Sequence, residues 1–472
     1  MSAGALFSAL PGGAEVAVEH TLGSLAHALR EPSRSAGIRV YTLPAPLAPL
    51  ATLLARFPQE QAALWEPEQG PALAAIGAAA ELTVAGARRF RELFEGANAL
   101  FAKLDTVNLS NAPAPRPRLL GGLAFQVGKS RAAPWTEFGD GAFVLPRLLY
   151  VRGVDHAQLC VAVAADAEQK ERTEGVLEAV HAALTALNSG PRSYQLRART
   201  PRTHIAATHE RGADDWAERV AAICSGIAAG RLEKVVLARR VSLTLEPTPD
   251  PFEVLERLRY EAPHATRFAF RRGSATFLGA TPERLVAKTG REVETEALAG
   301  SQRVGCAASG ELLESRKDLA EHAIVVRELV RTLTPLCSEL SCPEHPVVRE
   351  LRHVQHLWTP IRGRLREAAH VLELVEKLHP TPAVGGVPRA DALSWIAEHE
   401  RDERGWYAGP IGWFDAAGDG EFAVALRSGV LEGPHAHLFV GAGIVNESNA
   451  SSEYSETALK LRTLQLALGA GG

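Results

Sequence analysis

The chain has 472 residues, 46% apolar and 22% charged, which is ordinary for a globular protein able to bury a large core. Its net charge of -4 offers no electrostatic case for nucleic-acid or membrane binding. Five cysteines at irregular spacing (Cys160, Cys224, Cys306, Cys337 and Cys342) fit free thiols in a reducing cytoplasm rather than a disulfide framework.

The opening residues lack a basic stretch followed by an apolar one, so no signal peptide is expected. Ala72 to Ala87 is the most apolar window. It is mostly alanine, is broken by Glu81, and predicts a buried helix too short to span a bilayer. Glu92 to Leu104 predicts an amphipathic helix, and Ser110 to Arg118 a proline-rich connector. Strands are expected at Phe143–Val151 and Leu159–Ala164. This half carries no catalytic motif of its own and reads as scaffold. A polar, basic stretch from Asn188 to Pro201 suggests a loose boundary, with residues 1–205 before it and 206–472 after it.

The second half is better punctuated. Ala213–Ala229 puts Trp216, Val220, Ile223 and Ile227 on one helical face, with Asp214 and Asp215 in the first turn. Lys234–Val241 reads as a buried strand and Pro251–Tyr260 as a short helix. Arg267–Phe270 and Thr276–Gly279 read as strands, and Leu312–Leu333 as one long helix. Further helices are expected at Val371–Leu378 and Ala390–His399. Three strands then form an expected antiparallel meander, Tyr407–Phe414, Glu421–Val430 and His435–Val440, before a last helix at Ser451–Leu468. The whole is a mixed architecture rather than a regular βαβ repeat. Motifs for phosphate-binding loops, dinucleotide folds, zinc proteases and serine nucleophiles are absent. Cys337, Cys342 and His345 lack both the paired spacing and the fourth ligand of a zinc site.

Four sets of residues could do chemistry. Lys234 heads an apolar strand near Arg239 and Arg240; a lysine between apolar walls and other cations can act as a base. Its plain alternative is a strand-edge lysine reaching solvent. Glu283 follows a Thr-Pro turn at a strand end, where a carboxyl can serve as a general acid or simply favour a helix start. Asp318 with Glu321, and Glu453 with Glu456, are spaced three apart, so each pair shares a helix side. Two such helices face to face make an oxygen-rich cation site; apart, they are solvated faces. Arg427 interrupts an apolar strand and can hold a carboxylate through two hydrogen bonds. Tyr407 offers a hydroxyl, Gly441-Ala-Gly443 offers open backbone amides, and Lys460 lies one turn after Glu456.

Taken in order, these segments resemble the chorismate-utilising enzyme family. They are Lys234-Val-Val-Leu-Ala-Arg239, Gly279-Ala-Thr-Pro-Glu-Arg-Leu285, Ala297-Leu-Ala-Gly-Ser301, Asp318-Leu-Ala-Glu-His322, Leu378-His-Pro-Thr-Pro-Ala-Val-Gly385, Tyr407-Ala-Gly-Pro-Ile-Gly412, Val424-Ala-Leu-Arg-Ser428, Gly441-Ala-Gly-Ile-Val445, Glu453-Tyr-Ser-Glu-Thr457 and Lys460. The resemblance implies an α+β fold like anthranilate synthase component I, with antiparallel sheets in a central β-sandwich covered by helices. It implies Lys234 as the base that activates water and Glu283 as the acid. Glu321 and Glu456 are implied as magnesium ligands, with Asp318 and Glu453 behind them holding waters. Gly300, Ser301, His356, Tyr407, Arg427, Gly441, Ala442, Gly443 and Lys460 are implied to contact chorismate. Members that transfer an amine carry a non-basic residue in place of Lys234, so the resemblance points to water as nucleophile and isochorismate as product. Salicylate formation is the alternative. Ala299 stands where some members carry a nucleophilic lysine. A cytoplasmic monomer without a glutaminase subunit is the corresponding expectation.

Overall fold

The computed structural model describes residues 16–31, 37–164, 169–189, 203–304, 311–352 and 354–469. Cys306 and most of the expected boundary segment lie outside them. The strands form two sheets that share the long strands Ala72–Thr83 and Gly141–Arg152. In the first sheet the order is His204–Glu210, Lys234–Glu246, His435–Ile444, Ser428–Glu432, Ala275–Thr281, Thr266–Arg272, Ala62–Glu66 and then the shared pair. Beyond it lie Ala157–Ala164, Ile38–Ala45 and Leu104–Asn108. The second sheet runs from Gly141–Arg152 through Arg118–Leu123, Pro410–Asp415, Gly420–Val424, Arg284–Thr289, Glu292–Arg303 and Val354–Leu365. Among the described residues every ladder is antiparallel except that of Ile38–Ala45 with Leu104–Asn108.

Alternation along the strands builds two cores. Trp65, Phe268, Phe270 and Phe277 point into one, which also takes Phe143, Phe414 and Phe422 of the second sheet. Leu64, Ala269 and Leu278, on the opposite face of the same strands, pack in the other under the helices Val18–Arg30, Leu50–Arg56, Pro251–Glu261 and Ala450–Ala467. Trp135 ties the first half of the chain to the second. Its ring packs on Phe277 and Phe439, and its indole N–H donates to Glu403 O at 3.1 Å. Gly405, at φ +51°, presses so closely on that ring that a Cβ there would stand 2.1 Å from it.

Two crossovers place the functional groups. The chain leaves the first sheet between Thr281 and Arg284 and returns to it between Val424 and Ser428. The crossovers run side by side. Thr281 Oγ1 donates to Val424 O at 2.6 Å, Val424 N to Glu283 O at 3.1 Å, and Ala280 N to Arg427 O at 3.2 Å. Glu283 is therefore on one corner and Arg427 on the other. Arg427 takes a left-handed backbone, φ 49°, and Ala408 beside it φ 59°. Such strain in non-glycine residues gathers at functional sites.

Several expected elements differ. Ala72–Thr83 is a strand, not a buried helix. Alanine's helix preference, worth tenths of a kcal/mol per residue (about 0.5 against a typical β-branched residue), gives way to ladders on both of its edges. The expected meander is two hairpins in different sheets. Glu421–Val430 is broken at Ala425–Arg427, where the corner turns, so Gly420–Val424 and Ser428–Glu432 are not neighbours. The long helix is interrupted at Ser315, whose hydroxyl caps Arg316–Leu333 by accepting from Asp318 N. The amphipathic helix lies at Arg89–Phe101, because Leu104 already belongs to a strand. Elsewhere the expected helices and strands appear within a few residues of their predicted ends.

Candidate active site

Lys234 opens its strand, where it pairs with Val387, and is fully buried. Its Nζ stands 2.8 Å from Glu321 Oε1, projecting from the helix Arg316–Leu333. Gly443, on the neighbouring strand, makes room for both groups. A Cβ there would sit 2.3 Å from Glu321 Oε1 and 2.9 Å from Lys234 Cε.

A cavity opens beside this pair. Ten of the fifteen residues expected in the site line it: Glu283, Gly300, Ser301, Glu321, His356, Tyr407, Arg427, Gly441, Gly443 and Lys460. Lys234 lies just behind Gly443 and Glu321. Ala442 alternates away, its side chain in the apolar core. Asp318, Glu453 and Glu456 sit on the two acidic helices outside the cavity lining.

Each functional group has a fixed state. Burial, reinforced by the charge of Glu296, raises the Glu283 carboxyl to about 8, against the pull of Lys234, the Thr381 hydroxyl and Lys460. It is thus protonated at neutral pH and can give a proton away. His356 is buried, and burial together with Arg427 and Lys460 holds it well below the usual histidine range. Its neutral ring meets Gly300 O at 3.3 Å and Ser301 Oγ at 3.0 Å through Nδ1. Nε2 is left to accept from Arg427 Nη2 at 3.1 Å. Arg427 is itself lowered by burial to about 10, with Tyr407 and Glu456 opposing. It remains cationic at neutral pH. Tyr407 stacks on Phe439 and is raised by burial to about 12, so its hydroxyl stays a donor. Lys460 Nζ donates to Gly441 O at 3.1 Å and pairs with Glu456.

The site is therefore a pocket lined by Arg404, Arg427 and Lys460, with one protonated carboxyl, one buried lysine and an acid-rich flank. Residues 25–469 match the family described as chorismate binding enzyme. The chain belongs to that family. The chorismate-binding enzyme is 39% identical over 435 residues to the salicylate biosynthesis isochorismate synthase of Pseudomonas aeruginosa, covering 90% of this chain and 89% of that one. It is 38% identical to isochorismate synthase MenF of Bacillus subtilis, with 81% of each chain covered. Among solved structures, the menaquinone-specific isochorismate synthase MenF of Escherichia coli superposes with a TM-score of 0.77 at 25% identity, over 96% of this chain and 99% of that one. Anthranilate synthase component I of Streptococcus pneumoniae, at 20% identity and a TM-score of 0.63, shares the fold. The sandwich expected from the sequence is the one these relatives have.

The acid-rich flank of this chorismate-binding enzyme suits a hard cation in its chemistry. Asp318, Glu321, Glu453 and Glu456 offer only oxygen donors, which is what such an ion prefers. In the structure each of three carboxylates is paired with a lysine side chain: Glu321 with Lys234, Glu456 with Lys460, and Glu453 with Lys317. Among the described residues no three acids, histidines or cysteines stand at metal-ligating separations. Burial alone would raise Glu321, but Lys234, Lys460 and Lys317 outweigh it and hold it ionised. Burial and neighbouring carboxylates raise Asp318 and Glu453, as expected of anions gathered around one position.

Sequence reading gave no role to several groups at or near the site. Arg404 lines the cavity and donates to Val384 O and Val236 O, both at 2.8 Å, while paired with Glu400. Only the four-residue spacing of that pair hints at it. Lys317 directly precedes the Asp318–His322 motif but becomes meaningful only when the two helices meet. Glu296 occurs in Glu292-Val-Glu-Thr-Glu296, an alternation that reads as a solvated strand face.

Proposed function

We propose that this protein is an isochorismate synthase, a cytoplasmic isomerase that moves a hydroxyl group on chorismate, with Lys234 as base and Glu283 as acid. The observation that carries the reading is a fully buried Lys234 beside a cavity whose wall holds the Glu283 carboxyl, raised to about 8.

Chorismate is a dianion. In this reading Arg427, the Tyr407 hydroxyl, the Gly441–Gly443 backbone and Lys460 hold its carboxylates, with His356 fixing the Arg427 guanidinium and Gly300 and Ser301 closing the wall. Lys234 takes a proton from water as the oxygen bonds to C2. The ring double bonds shift, the C4–oxygen bond breaks, and Glu283 gives its proton to the departing hydroxyl. Water enters and water leaves, so the reaction is an isomerisation. Both proton transfers occur away from bulk water, where fixed charges act strongly. Glu321 and Glu456, with Asp318 and Glu453 behind them, would hold a magnesium ion, which would supply charge neutralisation for the substrate. Because water is the nucleophile, the reading needs no glutaminase, and it takes a monomer as the working unit.

We read residues 1–205 as scaffold for the same fold. Supporting this, Ala62–Glu66 pairs with Thr266–Arg272, and Arg118–Leu123 with Pro410–Asp415. The product serves menaquinone or catecholate siderophore synthesis. The test is incubation with chorismate and magnesium followed by chromatography. Isochorismate as the accumulating product is expected; salicylate and pyruvate in quantity would overturn the assignment in favour of a salicylate synthase.

A further inference from the structure

Glu283 rides on a two-residue crossover, Pro282-Glu283, and two charged side chains grip that crossover from behind, outside the cavity. Glu296 Oε1 accepts from Arg284 N at 2.8 Å, the amide that follows Glu283. Its other oxygen accepts from Trp358 Nε1 at 2.7 Å and Arg349 Nη1 at 3.3 Å. The same Arg349 nitrogen makes a longer, 3.5 Å contact with Pro282 O, the carbonyl that precedes Glu283. The peptide on each side of the acid is thus held, and the two holders are joined to one another. Arg349 is anchored in turn by Glu68 at 3.0 Å and His264 O at 3.2 Å. Glu68 also meets His264 Nδ1 at 3.0 Å, so a residue from the first half of the chain buttresses the clamp.

We propose that Glu296 is a positioning residue for Glu283, holding the acid-bearing turn against the cavity and standing behind it as a fixed negative charge. This rests on the reading of Glu283 as the acid. The bland alternative is a structural ion pair between Glu296 and Arg349. Two observations favour the proposal. Glu296 binds the backbone of the acid's own turn rather than merely pairing with an arginine. Its carboxylate is 11% exposed, so water screens its charge little. After burial, that charge is the largest influence keeping the Glu283 proton in place. Lys234 on its strand, Lys460 on the last helix and Tyr407 at the cavity wall face Glu283 from the other elements, and the two lysines oppose Glu296.

The experiment compares wild type, Glu296→Gln and Glu296→Asp. Glutamine keeps an acceptor for Arg284 N but removes the charge and the second oxygen that Trp358 and Arg349 donate to, so the turn is held less firmly. Its kcat is expected to fall on the order of 10-fold to 100-fold, as a misplaced acid does, with KM little changed. Its alkaline limb is expected to move to lower pH by about one unit, because an acid that has lost a like-charged neighbour gives up its proton sooner. Aspartate restores the charge with a shorter reach, so it should return the limb towards wild type more than it restores kcat. In parallel, infrared titration follows the protonated carboxyl band that disappears in Glu283→Gln, and its midpoint should be lower in Glu296→Gln. This readout needs no turnover, so it judges the clamp even if wild type makes no isochorismate. An unmoved midpoint overturns the proposal. So does a rate loss that only tracks the folded fraction while the limb stays in place.

Discussion

The His356 ring and the Arg427 guanidinium fix one another: Nη2 donates to Nε2 at 3.1 Å, across 71 positions of sequence. The contact requires a neutral imidazole, and burial with nearby cations keeps it so. The sign follows directly. A histidine held well below the usual value of about 6.5 does not charge as pH falls through that value. Substrate affinity should therefore stay flat across it, and a steep rise in KM centred there would contradict the assigned state.

Arg427→Lys retains the charge but loses the planar fork that grips a carboxylate at two points. Steady-state kinetics should show KM raised on the order of 10-fold or more, as expected for a lost charged hydrogen bond, with a smaller change in kcat. An unchanged KM would remove Arg427 from substrate binding.

Lys234→Ala should abolish hydroxyl exchange while chorismate still binds, measurable by calorimetry. Gly443→Ala attacks the same pair sterically, since its Cβ would fall 2.3 Å from Glu321 Oε1. We expect a folded protein with exchange reduced on the order of 100-fold, in line with small displacements of catalytic groups. Near-wild-type turnover in either variant would exclude Lys234 as the base.

Glu283 makes both activity and stability depend on pH. In the proposed role of general acid it must carry its proton, so kcat should decline as pH rises through about 8. Its folded value lies above the ordinary 4.5, so the native state binds a proton that the unfolded state releases between those two values. Stability therefore falls across that window as pH rises. Glu283→Gln should be inactive and melt higher than wild type at alkaline pH, with the difference vanishing at acid pH where both states are protonated. Scanning calorimetry at several pH values decides this, and no alkaline gain in Tm would argue against the raised value.

Chelation should silence the enzyme reversibly. Glu321→Gln and Glu456→Gln should each weaken magnesium binding, as followed by the metal dependence of chorismate affinity. Activity that persists in excess chelator would count against the acidic flank as a metal site.

Trp135→Ala should cost about 3–5 kcal/mol of stability, typical of removing a large core aromatic, because that ring packs on strands from the other half of the chain. Urea unfolding measures it, and a loss under about 1 kcal/mol would mean the ring is not a load on the sandwich.

The sequence carried much of the site and less of the topology. Lys234, Glu283, Arg427 and Lys460 stand in the ordered motifs that carry the family resemblance; the last three line one cavity and Lys234 lies beside it. Local periodicity also placed most elements to within a few residues. What failed depends on partners far along the chain. Nothing in Ala72–Thr83 reveals the ladders that make it a strand. Nothing in Val424-Ala-Leu-Arg-Ser428 says that the chain changes sheets there. Glu296 looks solvated until Arg349, Trp358 and the turn at Glu283 are brought to it.

The side-by-side corners at Thr281–Glu283 and Val424–Arg427 also make the active site a gauge of how the two sheets are mated. Glu283 and Arg427 each hang from a hinge between them, so a slip of one sheet against the other alters their separation before any strand melts. Turnover should fade in urea too dilute to change the far-ultraviolet circular dichroism, and return on dilution without a refolding lag.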